Sequence, residues 1–363
     1  MNKLTKTIVS ALFIVPVLIS CKGEGRYLSI GEPCFVSGFP AEGIPKQIDR
    51  FHCDEIGLQS IKVVDTLLFV DRGSAWVIYS LDGKRKYGEC MSVGRGPGEF
   101  TYSIPWVRSC YFFHDRDSLF VYTPEKHIRC LYELNITELI AGGNKIPHIV
   151  IKTDNINSDC WAVTPCGKDR MLLTKADDYY TSVQRLMYEN DTVTQLSVTR
   201  GIDEVTINPN SDLNLITKAI RYNTAADKFV EAMCHLNQIN LYSADGTEGK
   251  TICVGKKLDD VSKIEKEPKF SRKDTYTTVE AWDEGFGALY LGRSKIDVQK
   301  LLSEKSQIQF FDWEGNPKYL VELPYQVSAF DIDFNNNVLY AIDPKDDKLI
   351  AYDATEIVKA LRN

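Results

Sequence analysis

Short apolar runs recur along the chain at nearly even spacing, and most are followed by a second apolar or aromatic run. The first runs begin 50 to 60 residues apart, at positions 68–70, 119–121, 172–174, 229–231, 289–291 and 339–341. Apolar and polar residues alternate within the runs, as in Gln307-Ile308-Gln309-Phe310, which is typical of strands with one buried face. The pattern predicts one β unit repeated six times.

Tight-turn pairs close several of these units. They are Asp82-Gly83, Asn190-Asp191, Asp245-Gly246 and Glu314-Gly315. An Asp-Gly pair between β-rich runs predicts a hairpin, because the turn needs a positive φ that glycine adopts at little cost. Each unit therefore reads as three strands joined by turns, with room for a fourth strand before the next unit.

A four-stranded sheet cannot bury both of its faces alone, whereas radial stacking of several sheets buries them and leaves only short edges. The sequence therefore predicts an all-β fold: a six-bladed β-propeller of four-stranded antiparallel blades with a few short helical insertions. Two separate β-sandwiches are the alternative, but they would not require six evenly spaced units. We expect an N-terminal strand within residues 26–36 to complete the last sheet and close the ring.

Helical patterns are few and local. They predict short helices over residues 212–221, 296–302 and 355–361, the last with Ile357, Val358 and Leu361 on one face. Residues 259–274 are crowded with Lys and Glu and predict a solvated loop.

The first twenty residues have the layout of a secretory signal. Lys3 and Lys6 precede an apolar run over residues 8–19, which is shorter than the roughly 20 residues that a spanning helix needs. The run ends in Leu18-Ile19-Ser20-Cys21, which resembles a bacterial lipobox, and the Cys21 thiolate would accept the diacylglyceryl group. An ordinary signal peptide followed by an unrelated cysteine is the alternative.

These features predict the organisation of the whole chain. Residues 1–20 form a lipoprotein signal peptide, residues 21–26 a lipidated tether, and residues 27–363 a single propeller domain. The predicted location is the cell envelope, lipid-anchored at the outer membrane, with both a periplasmic and a surface-exposed placement open.

The charge balance narrows the choice of partners. The chain has 363 residues with 43 Lys+Arg against 50 Asp+Glu, a net charge of −7, which argues against binding to nucleic acid. Removal of the signal would take away Lys3 and Lys6 and no acid, so the protein body should not bind anionic lipid. We therefore expect membrane contact through the N-terminal lipid alone, and a monomeric protein.

Metal and cofactor chemistry has no motif in this sequence. The five histidines have no zinc-helix spacing, so no metal or cofactor site is predicted. Residues 331–337 are rich in Asp and Asn but lack the glycine and glutamate of a calcium loop, which favours a turn. Nine cysteines besides Cys21 are an odd number, and we expect mostly buried thiols on strands, such as Cys110, Cys130 and Cys253.

A glycine-rich segment, Val93-Gly94-Arg95-Gly96-Pro97-Gly98-Glu99-Phe100, lies between the first and second units. No Lys-Ser/Thr pair follows it, so it does not predict a nucleotide-binding loop. We interpret it as a connection between blades in which Phe100 packs while Arg95 and Glu99 tie the loop through charge-assisted contacts. The alternative is a loop on the rim of a ligand-binding face.

The lipobox, the six strand units and the string Gly-Arg-Gly-Pro-Gly-Glu-Phe together resemble the TolB-like six-bladed propeller lipoproteins of Bacteroides-type bacteria. The resemblance covers essentially the whole chain after the signal. It implies a six-bladed propeller tethered in the cell envelope and assigns no chemistry to any residue.

Any functional site of a propeller is assembled around its channel from residues far apart in sequence. Arginine and aromatic side chains suit a polar ligand or partner. Candidates near strand ends or in loops are Arg72, Arg95, Glu99, Tyr179, Tyr180, Arg221, Tyr222 and Arg293. No catalytic residue is predicted, because paired carboxylates for glycan chemistry cannot be located from sequence and a Gly-x-Ser-x-Gly elbow is absent.

These observations favour a non-catalytic binding or scaffolding module whose partner is an envelope protein, a peptide or a glycan. The alternative is a carbohydrate-active envelope enzyme, a lyase or a hydrolase, with its site in the propeller channel.

Overall fold

The computed structural model of the protein describes residues 25–48, 53–100, 103–125, 130–143, 146–152, 160–294, 296 and 305–363. In this part of the chain the strands form six sheets, each containing four antiparallel strands, with a few short helices between them. The prediction of an all-β, six-bladed propeller with four-stranded antiparallel blades is confirmed.

Three short N-terminal strands follow the outer edges of consecutive blades. β1 (Cys34–Val36) runs parallel to the outermost strand of blade 4, and β2 (Glu42–Gly43) runs parallel to that of blade 5. β3 (Gln47–Ile48) pairs antiparallel with blade 6 and is its fourth strand. An N-terminal strand therefore closes the ring, but its predicted position within residues 26–36 is wrong, because the chain passes blades 4 and 5 before it reaches blade 6.

The remaining strands follow the blades in chain order. Blades 1 and 2 consist of Ser60–Val64 (β4), Leu67–Asp71 (β5), Trp76–Ser80 (β6), Lys86–Cys90 (β7), and of Tyr111–Asp115 (β8), Ser118–Glu125 (β9), Cys130–Asn135 (β10), His148–Lys152 (β11). Blades 3 and 4 consist of Cys160–Gly167 (β12), Arg170–Ala176 (β13), Val183–Glu189 (β14), Thr192–Gln195 (β15), and of Lys218–Asn223 (β16), Lys228–Met233 (β17), Ile239–Ser243 (β18), Gly249–Val254 (β19). Blades 5 and 6 consist of Lys273–Trp282 (β20), Gly285–Ser294 (β21), Ser306–Phe311 (β22), Pro317–Leu323 (β23), and of Ala329–Asp333 (β24), Val338–Asp343 (β25), Lys348–Asp353 (β26) with β3.

The first strand of each blade is its inner strand, and neighbouring inner strands contact one another around the channel. The recurring apolar runs of the sequence are the second strands, β5, β9, β13, β17, β21 and β25. The inner strand therefore comes before each run, at the place where the pattern left room for a fourth strand. This order matters for function because the inner strands supply most of the channel wall.

Apolar side chains pack between the blades. In the described residues they form six clusters, and each cluster joins the facing sides of two adjacent blades. Phe69 of blade 1, for example, contacts Phe112 of blade 2 with ring centroids 4.9 Å apart, and Phe310 of blade 5 contacts Phe330 of blade 6 at 6.3 Å. Each sheet is thus buried by its neighbours, as radial stacking requires.

Helices are short and lie between or after the blades. The α-helices are Ile136–Ile140 (α1), Arg200–Asp203 (α2), Val261–Ile264 (α3) and Thr355–Arg362 (α4), and the 3-10 turns are Val107–Ser109, Ser197–Thr199, Leu213–Ile216 and Lys269–Ser271. α4 confirms the predicted terminal helix, with Ile357, Val358 and Leu361 buried.

Two other helical predictions fare differently. The helix predicted over residues 212–221 is wrong, because Leu215 and Ile216 fill the space between blades 3 and 4 from a 3-10 turn, and β16 begins directly afterwards. The helix predicted over 296–302 lies outside the described residues except for Ile296. The loop predicted over 259–274 contains α3 and a 3-10 turn.

The predicted hairpin turns have the expected backbone. Gly83, Gly246 and Gly315 adopt φ values of 70°, 73° and 77°, and Asn190 and Asp191 take positive φ at the corresponding turn of blade 3. A side chain at these glycines would be strained by the left-handed conformation.

Among the described helices, none has the length and apolar character needed to cross a membrane.

Candidate functional site

The central channel opens through a cavity of about 400 Å³, which we call the lower mouth; it is lined near the C-terminal ends of the inner strands of blades 1, 3, 4, 5 and 6 and by residues 108–112 at the start of β8. All six blades contribute to it. Its rim includes Asp65, Asp283, Glu284 and Asp333. The acids are already engaged: Asp283 accepts a hydrogen bond from Asn223 Nδ2 at 2.9 Å, and Glu284 lies 3.3 Å from Arg362 Nε.

A second cavity of about 440 Å³ lies at the N-terminal ends of the inner strands of blades 2 to 5, and we call it the upper cavity. Its wall is built by Trp106, Arg108, Trp161, Ala162, Lys218 and Arg221, together with small apolar and hydroxyl side chains. Arg108 and Arg221, together with Ser109, Thr164 and Ile220, line both the upper cavity and the lower mouth, so the two spaces adjoin at these residues. A volume of this size is within the range of small-molecule sites.

A network of buried charges crosses the channel beneath this junction. Lys62 Nζ lies 3.3 Å from Glu280 Oε2 and 3.2 Å from Asp331 Oδ2, and Arg221 Nη2 lies 3.1 Å from Glu280 Oε1. Burial opposes the charge on Lys62, but Asp331 and Glu280 more than offset it and raise the pKa of the ammonium group. Trp282 Nε1 also donates to Asp331 at 2.7 Å. The network joins blades 1, 4, 5 and 6 across the axis.

Arg108 differs from these paired charges. It is only 8% exposed, and its Nε and Nη1 have no hydrogen-bond partner among the described residues. Its Cζ lies 4.5 Å from the centroid of the Trp106 ring, so the guanidinium stacks on the indole. Burial, with the nearby charge of Arg221, lowers the pKa of Arg108 to about 10, which still leaves it protonated near neutral pH.

Lys218 is the third cation of the upper cavity. Its Nζ lies 4.0 Å from Glu231 Oε2, and its side chain is almost completely buried. Burial lowers the pKa of Lys218 to about 7, and the charge of Arg185 adds to the effect.

Glu231 is held much more closely by Arg185 than by Lys218. Arg185 Nε and Nη2 donate to the two Glu231 oxygens at 2.7 and 2.6 Å, and Arg185 Nη1 donates to Asp203 at 2.6 Å. Burial alone would raise the pKa of Glu231, but Arg185 lowers it to about 2. Lys218 is therefore the weaker of the two cationic partners of this carboxylate.

Threonine hydroxyl groups that lack a partner in the described part of the chain surround the same space. The side-chain oxygens of Thr174, Thr217, Thr277 and Thr278 are buried, line the upper cavity and have no hydrogen-bond partner in the described part of the chain. Buried polar atoms are normally hydrogen-bonded, so an unsatisfied group needs an explanation. A wall with several such atoms and Arg108 is what a polar ligand would complete.

The structure places the residues predicted from sequence at widely separated positions. Arg221 reaches both cavities, and Tyr222 lines the lower mouth while its hydroxyl donates to Asp227 at 2.7 Å. Arg72 instead joins Glu55 and Glu89 at 3.0 and 2.8 Å on blade 1.

The other candidates stay away from the channel wall. Arg293 Nη2 donates to the backbone oxygen of Lys305 at 2.7 Å on blade 5. Tyr179 and Tyr180 are exposed in the loop between the second and third strands of blade 3. Of the predicted ligand-face residues, only Arg221 and Tyr222 are therefore brought to the channel.

The glycine-rich segment behaves partly as expected. Phe100 is buried and lies 5.5 Å from the Tyr132 ring of blade 2, so it packs between blades. Glu99 accepts a hydrogen bond from the backbone N–H of Gly96 at 2.6 Å and closes the loop on itself. Arg95 is exposed, and the predicted tie through its guanidinium stays a prediction.

Two further expectations concern the Asp-rich turn and the cysteines. Asp333 Oδ1 accepts hydrogen bonds from the backbone N–H groups of Asn335 and Asn336 at 3.0 Å, which confirms the predicted turn. The nine cysteines that the structure describes form no disulfide with one another. Burial raises the pKa of the Cys110 thiol to about 12 and that of Cys253 to about 11.

Sequence reasoning missed Arg108, Lys218, Trp106 and Trp161. Arg108 lies in a 3-10 turn just before β8, and Lys218 begins β16. Both lie at or just before the start of an inner strand, and this position is the only signal by which the sequence could have identified them. The periodicity identified the second strands and so gave no reason to examine these positions.

Comparison with known proteins supports the fold and does not assign a family or a function. No protein-family profile and no curated protein sequence matches the chain. A member of the DUF4221 family from Bacteroides vulgatus is similar over 87% of this chain and 97% of its own, with a TM-score of 0.50 and 10% identity.

Two other solved structures are similar at lower scores. A Bacteroides fragilis protein proposed to be exported aligns over 82% of both chains with a TM-score of 0.45 and 11% identity. A calcium-binding regucalcin from Agrobacterium tumefaciens aligns over 86% of this chain and 94% of its own with a TM-score of 0.44 and 8% identity. The chain is thus similar in fold to solved structures that include proteins from Bacteroides, and the TolB-like lipoprotein resemblance remains a prediction.

Proposed function

We propose that the protein is a lipid-anchored binding module of the cell envelope that holds a small ligand in its upper cavity. The observation that carries the proposal is Arg108, a buried cation whose Nε and Nη1 lack hydrogen-bond partners among the described residues at the junction of the two cavities. Leaving a charge in this state is costly, so such a group suits a site that is completed by a ligand.

The position of the N-terminal segment supports a defined orientation at the membrane. Arg26 donates through its backbone N–H to Asp260 and through Nε to Ser262, both at 3.1 Å, and its guanidinium contacts Glu265 and the backbone oxygen of Thr206. These partners lie in the links that lead into blades 4 and 5, at the end of the propeller that holds the upper cavity.

Cys21 stands five residues before Arg26. Five residues span at most about 18 Å when extended. A lipid on Cys21 would therefore keep the upper-cavity end of the propeller close to the membrane and leave the lower mouth facing away from it.

The alternative of a carbohydrate-active enzyme has no supporting geometry in the upper cavity. Its described lining residues include no Asp or Glu, whereas glycoside hydrolysis normally uses a pair of carboxyl groups. We therefore propose binding and not glycan cleavage for this cavity.

Ligand-dependent stabilisation tests the binding role. A small-solute extract of the native envelope should raise the Tm of the purified protein, because a ligand that binds only the folded state stabilises it. Ala162→Trp would fill the cavity without changing its charge and should abolish the shift. Ala141→Trp, at the exposed end of α1, should leave it intact. The proposal is contradicted if the extract does not raise the Tm of the wild-type protein, or if it raises the Tm of Ala162→Trp by the same amount.

Metabolic labelling with palmitate tests the anchor separately. The wild-type chain should incorporate label and sediment with membranes, and Cys21→Ala should do neither. A labelled Cys21→Ala protein would show that the lipid is attached elsewhere.

A further inference from the structure

The upper cavity has an unbalanced charge. Its described lining residues include three cations, Arg108, Lys218 and Arg221, and no carboxylate. Arg221 is paired with Glu280 at 3.1 Å, and Lys218 is 4.0 Å from Glu231 on the neighbouring strand of blade 4. Arg108 has no carboxylate within 4.0 Å in the described residues. The cavity therefore presents a positive field to whatever enters it.

The geometry of Arg108 limits what could neutralise it. One face of the guanidinium is covered by Trp106, which leaves the edge of the plane for hydrogen bonding. Nε and Nη1, which have no partner among the described residues, lie on different edges: Nε shares the side edge with Nη2, as in the Arg185–Glu231 pair, and Nη1 shares the end edge with Nη2. A planar carboxylate can accept two parallel N–H bonds from a guanidinium, and such bidentate pairs are strong and directional.

The other lining residues of the upper cavity indicate the chemical character of the rest of the ligand. Trp161, Val163 and Ile216 contribute apolar surface, and the threonine hydroxyls provide isolated polar contacts. Trp106 is half exposed and stands at the edge of the cavity, where it could cover one side of a flat ligand. Apolar walls with one dedicated cation suit an organic anion better than a fully hydrated inorganic one, because the hydrated ion loses more solvation on entry.

We infer that the upper cavity binds a small organic carboxylate with an apolar or aromatic body, which Arg108 holds through its carboxylate group. Lys218 supplies a second positive charge from β16, and the two tryptophans contact the body of the ligand. The inference rests on the proposed binding role and adds the chemical class of the ligand.

Isothermal titration with two isosteric probes tests this assignment. The full chain in nonionic detergent is titrated with benzoate and with neutral benzamide, and protein-free micelles provide the blank. Benzoate should bind at least about tenfold more tightly than benzamide, because only benzoate pairs with the guanidinium. Inorganic phosphate should not displace benzoate.

Substitutions at Arg108 connect the preference to the residue. Arg108→Gln should bind benzoate and benzamide equally, and Arg108→Lys, which keeps the charge without the planar fork, should lose part of the preference. Arg200→Gln, at the exposed first residue of α2, is the matched control and should behave as wild type. Far-ultraviolet circular dichroism and urea unfolding confirm that each variant is folded.

The outcomes separate the class of ligand from the binding role. Equal binding of the two probes by wild type, an undiminished preference in Arg108→Gln, or tighter binding of phosphate would overturn the carboxylate assignment and leave a ligand-binding cavity. Failure of both probes to bind would also overturn the carboxylate assignment, whereas the binding role itself is contradicted only if the envelope extract fails to raise the Tm.

Discussion

The buried cations of this propeller are of two kinds, those that are paired with carboxylates and one that is not paired in the described residues. Arg185 is fully engaged by two carboxylates, and Lys62 and Arg221 belong to a connected network across the channel. Arg108 is buried without such compensation. Removing a member of the first group leaves other charges unpaired, whereas removing Arg108 does not. The same kind of substitution should therefore have opposite effects at the two kinds of site.

Replacement of Arg108 by methionine should stabilise the protein. The change removes an uncompensated buried charge and keeps an unbranched side chain in the apolar space beside Trp106. The loss of the cation–π contact offsets part of the gain, so we expect the free energy of unfolding to rise by about 1 kcal/mol. Urea unfolding of the ligand-free protein measures it, and a clear loss of stability would assign Arg108 a structural role.

Replacement of Arg185 by methionine should destabilise the protein strongly. Asp203 and Glu231 would remain buried without their main counter-charge, which typically costs about 3–5 kcal/mol. The urea midpoint should fall accordingly. A midpoint within error of wild type would mean that the two carboxylates are neutralised in another way.

The effect of Lys218 on stability should depend on pH. Burial lowers its pKa in the folded protein to about 7 from an ordinary value of 10.5. Between these values the unfolded chain binds the proton more strongly, so the wild-type free energy of unfolding gains a contribution that rises with pH. Lys218→Met lacks this contribution.

The Lys218→Met variant should therefore be most stabilised relative to wild type below pH 7, and the difference should disappear near pH 10.5. Urea unfolding of both proteins below, within and above this window measures the change. A difference that stays constant or grows with pH would show that the lysine is not buried as a strained cation.

Among the elements, the second strands of the blades could be predicted from sequence and the inner strands could not. A second strand is covered on both faces by neighbouring blades, as in β5, where all five residues are buried, so it appears as a continuous apolar run. An inner strand has one edge on the channel and mixes apolar with polar residues, as in β16. The candidate site is built from those mixed strands, so its residues had no periodic signal.

The closing strand offers a test at this scale. Ile48 pairs with Ala351 of β26 and packs against the cluster between blades 6 and 1, whereas Ile44 is 64% exposed. Ile48→Ala should lower the free energy of unfolding by about 1–2 kcal/mol, and the matched Ile44→Ala should change it by less than about 0.5 kcal/mol. Equal effects in urea unfolding would mean that β3 does not hold the ring closed.

For the whole molecule, the six-bladed architecture could be predicted from the evenly spaced apolar runs of the sequence. The position of the strand that closes the ring could not, because it depends on the path of the N-terminal segment. The N-terminal chain is held at Arg26, follows blade 4 at β1, and closes blade 6 at β3. No local pattern in residues 26–48 distinguishes these outer edges, since each strand is only two or three residues long. The path fixes which end of the propeller a lipid on Cys21 would bring to the membrane.

Native mass spectrometry of the full chain, released from its own envelope in mild detergent, tests the binding claim most directly. Wild type and Ala141→Trp should retain the additional mass of a small acidic molecule, and Ala162→Trp and Arg108→Gln should not. Wild-type protein with only the mass of its lipidated polypeptide, or a bound molecule retained equally by Ala162→Trp, would contradict it.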